Sequence, residues 1–375
     1  MQLFETVVAN LGSRFTLRLL PHRGRLFLSP LGHPLDLPVD LAVGVQIGED
    51  YRILPFSDRY KAFPSLEQEL LPSGVAYRCR DADLGVLVTI RFRSAFYPRD
   101  IIVSTAPFCY VSLEIARLPG SSAKPAALEG KVFLAVKPGS EFTLRRIDGG
   151  FAFSGTFRPG AAGHDLRLPR ELRDGVPGEF GVAAVEPEPE LGDRRVALPF
   201  ALALDQESVR HEFALAGYCG ADFFRVGRER YRFKYAGFFA SLEEVLAFAA
   251  SERGEIGQKM DRFDGVIGGG ALPRDTEQLI ALALQTYLAN TFWMTRRGRD
   301  WFSVWEGTRR RNSPVSVEYH AAQLTFALWP ELLEMLLEEW ADHEQRSLYG
   351  SYLPRDMGTG MTADGRPAPH PTEVD

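Results

Sequence analysis

Between Trp301 and Pro314 the chain packs two tryptophans, a phenylalanine, one carboxylate and three consecutive arginines into fourteen residues. Aromatic side chains such as Trp301 and Trp305 can carry the apolar face of a sugar ring. A carboxylate set among cations stays ionised, because a nearby positive charge lowers its pKa. Glu306, with Arg310 four residues on, meets that description, so the stretch has the composition of a sugar-binding cleft. Glu306 is the strongest catalytic candidate in the chain. The bland alternative is a surface carboxylate paired with Arg309, Arg310 or Arg311.

Helical patterns flank this stretch. Thr276 to Asn290 is apolar almost all round and predicts a helix buried on most sides. Phe292 to Thr295 reads as its end, and Arg296 to Asp300 as a basic turn. A second helical run spans Val317 to Leu328. A third starts at Pro330, since proline in the first turn loses no needed N–H. Its Leu332, Leu333, Met335, Leu336 and Trp340 predict a buried stripe. Trp301–Pro314 is therefore expected as a loop between helices. Upstream, Ser241 followed by Glu244 predicts a capped helix start, running to about Lys259. Gly265–Gly270 lacks the lysine of a phosphate loop and reads as a hinge or turn.

Before residue 235 the pattern is different. Arg14–Leu19 and Val86–Arg93 alternate polar and apolar residues. Short β-type runs recur at Leu41–Ile47, Tyr110–Ile115, Lys131–Val136 and Val196–Leu202, with Gly/Pro turns between them. Many short strands without helices predict antiparallel sheets in a sandwich or barrel. Arg91 and Arg93 share one strand face, expected to be solvated. His22, His33, His164 and His211 share no motif and read as structural.

At 375 residues the chain is long enough for two domains. The sequence is 45% hydrophobic and 25% charged, as in an ordinary globular protein. A net charge of -6 argues against nucleic acid as a partner. No apolar run is long enough to span a membrane, and no secretory leader is visible, so a cytoplasmic setting is expected. Cys79, Cys109 and Cys219 are too scattered for a metal site and read as buried small hydrophobes. No metal or organic cofactor is expected.

In this order along the chain, several segments resemble glycoside hydrolase family 52, the retaining β-xylosidases, and more distantly family 116, the β-glucosidases. They are Gly12–Leu17, Tyr51–Phe56, Tyr235–Val245, Val304–Gly307 with Arg310, Ala327–Pro330 and Leu353–Gly358. The resemblance implies a multidomain β + α protein: an N-terminal antiparallel β-sandwich over 1–235, a linker helix region over 236–272, and the first helices of an (α/α)6 barrel over 273–375. It places the nucleophile of a retaining exo-glycosidase at Glu306 and the sugar-lining loop at Leu353–Gly358. The substrate would be a β-linked xylose- or glucose-type carbohydrate, and a homo-oligomer is compatible with it.

The departures are specific. Ser316, with Glu318 nearby, stands where the family has a sugar-contacting Asp, and Arg355 where it has a His. Asp356 matches. The family's acid/base Asp would lie past Asp375, so the helical domain is expected to continue and this chain alone to hydrolyse little. Two alternatives stay open: a non-catalytic carbohydrate-binding or inactive divergent member, and another (α/α)-barrel glycosidase or amidase-like enzyme.

Overall fold

The computed structural model describes residues 3–29, 37–119, 127–158, 175–270, 272–306, 311–347, 350–354, 356–359 and 362–363, and of Glu306 the backbone. Two eight-stranded sheets account for most of the chain up to Tyr218. The first runs from Thr6–Ala9 through Thr16–Leu20, Arg25–Ser29, Leu37–Ile47, Ala127–Lys137 and Arg195–Ala203 to Glu190–Leu191, with Asp50–Ile53 paired beside Leu37–Ile47. The second runs from Thr143–Ile147 through Gly150–Phe157, Val176–Ala184, Ser208–Tyr218, Phe108–Arg117, Val86–Ser94 and Gly74–Asp81 to Ser65–Leu71. Pairing within both is antiparallel, as the alternating patterns predict.

The alternation has a direct physical result. Successive strand residues point to opposite faces, so Val86, Val88, Ile90 and Phe92 all enter the core with no exposed surface. Leu41, Val43, Leu134, Val136, Val196 and Leu198 from the other sheet join the same buried cluster. All three cysteines are free and buried, and burial pushes their thiols well up. They pack as small hydrophobes.

The outer face at Arg93 is not solvated. Arg93 lies 2.7 Å from Asp261 and 2.9 Å from Asp264, both on the linker, while Arg91 pairs with Glu114 at 2.8 Å. Ser73 adds an N–H and a hydroxyl to Asp264, at 2.8 and 2.7 Å. The sandwich is thus pinned to the helical part by a charged cluster, in which burial pushes Asp264 above the usual carboxyl range even with Arg93 beside it.

A short helix α1, Ile101–Thr105, interrupts the second sheet's strands. The linker is two helices, α2 (Leu242–Ser251) and α3 (Arg253–Ile267), broken at Glu252. The Ser241 hydroxyl accepts from Glu244 N–H at 3.3 Å, and the Glu244 carboxylate accepts from Ala240 N–H at 2.7 Å. The cap expected from sequence is present, with the carboxylate reaching one residue further back than in the usual box. Ser241→Ala is expected to lower stability by about 1 kcal/mol in chemical denaturation; an unchanged midpoint would remove the cap from the account.

Three further helices follow: α4 (Arg274–Ala289), α5 (Val315–Leu328) and α6 (Pro330–Ala341). Helix α4 is not buried on most sides: Ala281, Leu284, Gln285 and Leu288 are covered, while Leu279 stays 66% exposed. In α6, Leu332, Leu336 and Trp340 are buried as expected, and Glu339 joins them.

The main departure lies between α4 and α5. Instead of a helix end and a loop, Thr291–Arg296 and Arg299–Glu306 form an antiparallel hairpin. Its two-residue turn, Arg297-Gly298, has φ values of 48° and 83°, the left-handed pair that matches strand twist. The hairpin is the middle of a seven-stranded sheet that also takes Phe224–Val226, Glu229–Phe233, Arg311–Asn312, Gly358–Thr359 and Thr362–Ala363. This sheet straddles the boundary expected at residue 235. Phe292, Met294, Trp301 and Trp305 on one face join the main core, and Trp293, Phe302 and Val304 on the other pack with α4 and α6 through Leu284, Leu288, Leu332 and Leu336.

Candidate active site

Glu306 is the last residue of the strand Arg299–Glu306 and pairs with Arg311. Its side chain, the segment 307–310 that holds Arg310, and Arg355 lie outside the described residues. The strand beyond brings in the second sequence-selected segment: Arg311 and Asn312 pair with Thr359 and Gly358, and Met357 N–H donates to Asn312 carbonyl at 2.9 Å. Asp356 is 6% exposed, with its carboxylate 3.6 Å from Arg311 Nε. Two stretches fifty residues apart in sequence thereby meet at the end of one strand.

The two tryptophans take another place. Trp301 and Trp305 are 1% and 2% exposed. The Trp301 ring meets His343 edge-on at 5.6 Å, and Trp305 sits 5.6 Å from Phe292. The Arg14 guanidinium lies 4.7 Å from the Trp305 ring and 4.6 Å from that of Phe292, and it donates to Ala289 carbonyl at the end of α4. In this arrangement the tryptophans carry the strand from beneath, and a sugar would meet neither face. The reason is the hairpin: both its faces are covered, and alternation puts Trp301 and Trp305 together on the face that joins the main core.

Ser316 and Glu318 part company. Ser316 is exposed, and Glu318 is 2% exposed, beside Ser313 and Tyr287. Residues two apart on a helix do not share a face. Burial raises the Glu318 pKa to about 8, against the pull of a hydrogen bond from Ser313. Ser313 has φ of 42°, uncommon outside glycine. Glu339 on α6 accepts the Phe302 N–H at 2.7 Å. Burial pushes it well above the usual carboxyl range, and the neighbouring Glu318 adds to the rise. Tyr287 on α4 faces Glu318 as well, and burial raises its phenol.

Sequence reading passed over Glu339, Ser313 and Arg14. Glu339 left a signal, since it falls seven residues after Leu332 and three after Leu336 on the apolar stripe. Ser313 and Arg14 left none. A cleft of about 390 Å³ opens between the first strands and α4, lined by Glu5, Arg14, Arg18, Thr286 and Asn290 among others. None of the sequence-selected residues lines it. Among the described residues no group of His, Cys, Asp and Glu is placed to hold a metal ion, and no helix is long and apolar enough to cross a membrane.

Part of the chain is similar in sequence to the glycoside hydrolases. Residues 205–313, which include Glu306, match the profile of glycosyl hydrolase family 52. The match stops short of Asp356 and does not extend to the first 204 residues. Among solved structures, a bacterial glucoamylase complexed with acarbose is similar with TM-score 0.43 and 9% identity, covering 97% of this chain and 52% of its own. A protein described as a kojibiose phosphorylase from the human microbiome is similar with TM-score 0.38 and 10% identity, covering 75% of this chain and 39% of its own. This chain therefore spans about half, or less, of the length of those proteins. No curated protein matches the sequence.

Proposed function

We propose that this chain is part of a retaining glycosidase acting on a β-linked xylose- or glucose-type sugar, with Glu306 as nucleophile and α4, α5 and α6 as the start of an (α/α)6 domain. The observation that carries this reading is the meeting of the Glu306 strand end with Asp356 inside a sheet whose central hairpin falls within the family-52 match. Arg311, the backbone partner of Glu306 on the adjacent strand, lies 3.6 Å from the Asp356 carboxylate and brings positive charge to this end of the sheet. In the reaction the Glu306 carboxylate attacks the anomeric carbon. The bond to the departing oxygen breaks, that oxygen takes a proton from a second carboxylic acid, and water later hydrolyses the glycosyl ester. Asp356 and Arg355 would line the sugar site.

The second acid need not be known to test the first. A 2-deoxy-2-fluoro glycoside with a dinitrophenolate leaving group departs without proton donation and traps the ester. Incubation with the xylo and gluco reagents is expected to add one fluoroglycosyl mass, mapped to the peptide containing Glu306 and absent in Glu306→Gln. Labelling at another residue, or none with either reagent, would sink the assignment. Calorimetric titration with the parent sugars then separates a binding protein from one with neither property.

A further inference from the structure

The strand that ends in Glu306 is poorly paired on one side. Its Trp305 N–H donates across to Asn290 carbonyl at 2.7 Å, and its residues 299–304 face Thr291–Arg296. On the opposite side the neighbouring strand among the described residues is Arg311–Asn312, which pairs with Trp305 and Glu306. The N–H groups of Phe302 and Val304 point to that side and meet no strand carbonyl there. Both residues are buried, and a buried N–H without an acceptor is costly.

Side chains fill the gap. Phe302 N–H donates to Glu339 at 2.7 Å. Val304 N–H donates to the Ser313 hydroxyl at 3.2 Å, and Ser313 N–H returns a bond to Val304 carbonyl at 2.7 Å. The Ser313 hydroxyl is engaged in turn by Glu318. We infer that Glu339, and Glu318 acting through Ser313, are positioning residues that stand in for the missing strand and so fix the backbone that presents Glu306.

Several observations support this. Glu339 and Glu318 come from two different helices and serve alternate residues of one strand, Glu339 directly at Phe302 and Glu318 through Ser313 at Val304. Each carboxyl keeps one buried oxygen without a partner among the described residues, Oε1 of Glu318 and Oε2 of Glu339. That is expected of groups retained for one bond and not for a network. Burial raises both carboxyls, Glu318 to about 8 and Glu339 in the same direction, and glutamine is the uncharged isostere of each. The backbone of Ser313 is held at a positive φ, a strain that persists only where surroundings impose it.

The bearing on Glu306 rests on the glycosidase reading; the clamp itself does not. Amide hydrogen exchange read residue by residue tests it in the whole chain. In Glu318→Ala the Val304 amide is expected to exchange about tenfold faster or more, and in Glu339→Ala the Phe302 amide likewise. Exchange in the strand Phe108–Arg117 should stay unchanged, and Glu318→Gln and Glu339→Gln should restore protection. If an alanine variant fails to fold, Ser313→Gly removes the hydroxyl at a φ that glycine tolerates, and Val304 should again exchange faster. Unchanged Val304 and Phe302 rates, equal acceleration throughout the sandwich, or no rescue by glutamine would overturn the proposal. Trapping failure at Glu306 with the exchange pattern intact would remove the catalytic reading and leave the clamp.

Discussion

Raising the pH from about 5 to about 8 is expected to destabilise this protein, and Glu318→Gln is expected to flatten that fall. Glu318 has a folded-state pKa near 8 against an ordinary value of 4.5, and burial raises Glu339 in the same direction. Between 4.5 and 8 the folded state therefore holds protons that the unfolded state releases. Stability is greatest below the unfolded value and is lost as pH climbs toward the folded one. Glu318 contributes about 1.4 kcal/mol per pH unit in that window, on the order of 5 kcal/mol across it, and Glu339 adds in the same direction. Tyr287 faces Glu318, and Arg299 and Asp342 act on Glu339 at the far end of α6. Asp264 and Glu186, also raised by burial, slope the same way. Glu114 and Glu243 are lowered by Arg91 and Arg145, so their contribution is lost in acid, below this window. Urea midpoints of the wild type, Glu318→Gln and Glu339→Gln across pH 5–8 give the slopes directly. Wild-type stability that rises through this range would contradict the upward shifts of Glu318 and Glu339.

Gly12→Ala is expected to cost about 2–5 kcal/mol, combining a left-handed backbone penalty with backbone overpacking. Gly12 has φ of +68°, and an added Cβ would lie 2.4 Å from Trp293 Cβ and 2.8 Å from Trp293 N. Neither atom is the free end of a flexible side chain. The contact is also a two-way bridge: Gly12 N–H donates to Thr291 Oγ1 at 2.7 Å, and Trp293 N–H donates to Gly12 carbonyl at 2.9 Å. Alanine reduces the freedom of the unfolded chain and returns up to about 1 kcal/mol, too little to offset the clash. Gly48, with φ of +58° and open space around it, is the control: Gly48→Ala should show the backbone penalty alone. Equal losses at the two positions would mean that the close approach to Trp293 contributes nothing.

The sandwich was legible because its signal is local. Val86–Ser94 carries its pattern in its own residues, and so does the capped start at Ser241. Pro330 marked a helix start because proline suits the first turn and little else. The hairpin was not legible for a matching reason. Thr291–Glu306 is aromatic and β-branched but follows directly on an apolar helix, and only Arg297-Gly298 marks the turn. The hairpin's partner Glu229–Phe233 lies far off in sequence, and so does Gly358–Thr359, the strand beyond Arg311–Asn312. Misplacing the hairpin misplaced the tryptophans, since Trp301 and Trp305 are ligand platforms on a loop and core residues on a strand. Glu318 was singled out for its position along the chain, and its burial beside Ser313 and Tyr287 is set by tertiary packing that no local pattern shows. Asp356 and Glu306 were selected together from motif order, and the sheet brings their segments together.

The seven-stranded sheet also bears on what can be cut from this protein and moved. The segment that matches a known family, 205–313, is not a structural module. It contains Ser208–Tyr218 without the strands that flank it, Phe108–Arg117 and Val176–Ala184. It contains the hairpin without α5, α6 or the strand Gly358–Thr359. Excised, it would expose two ladders of unpaired backbone and the hydrophobic undersides of Trp293 and Phe302, a surface that aggregates instead of folding. A boundary drawn by sequence similarity here marks what has been inherited, and a boundary for a graft, a truncation or an isolated fragment has to follow the sheet.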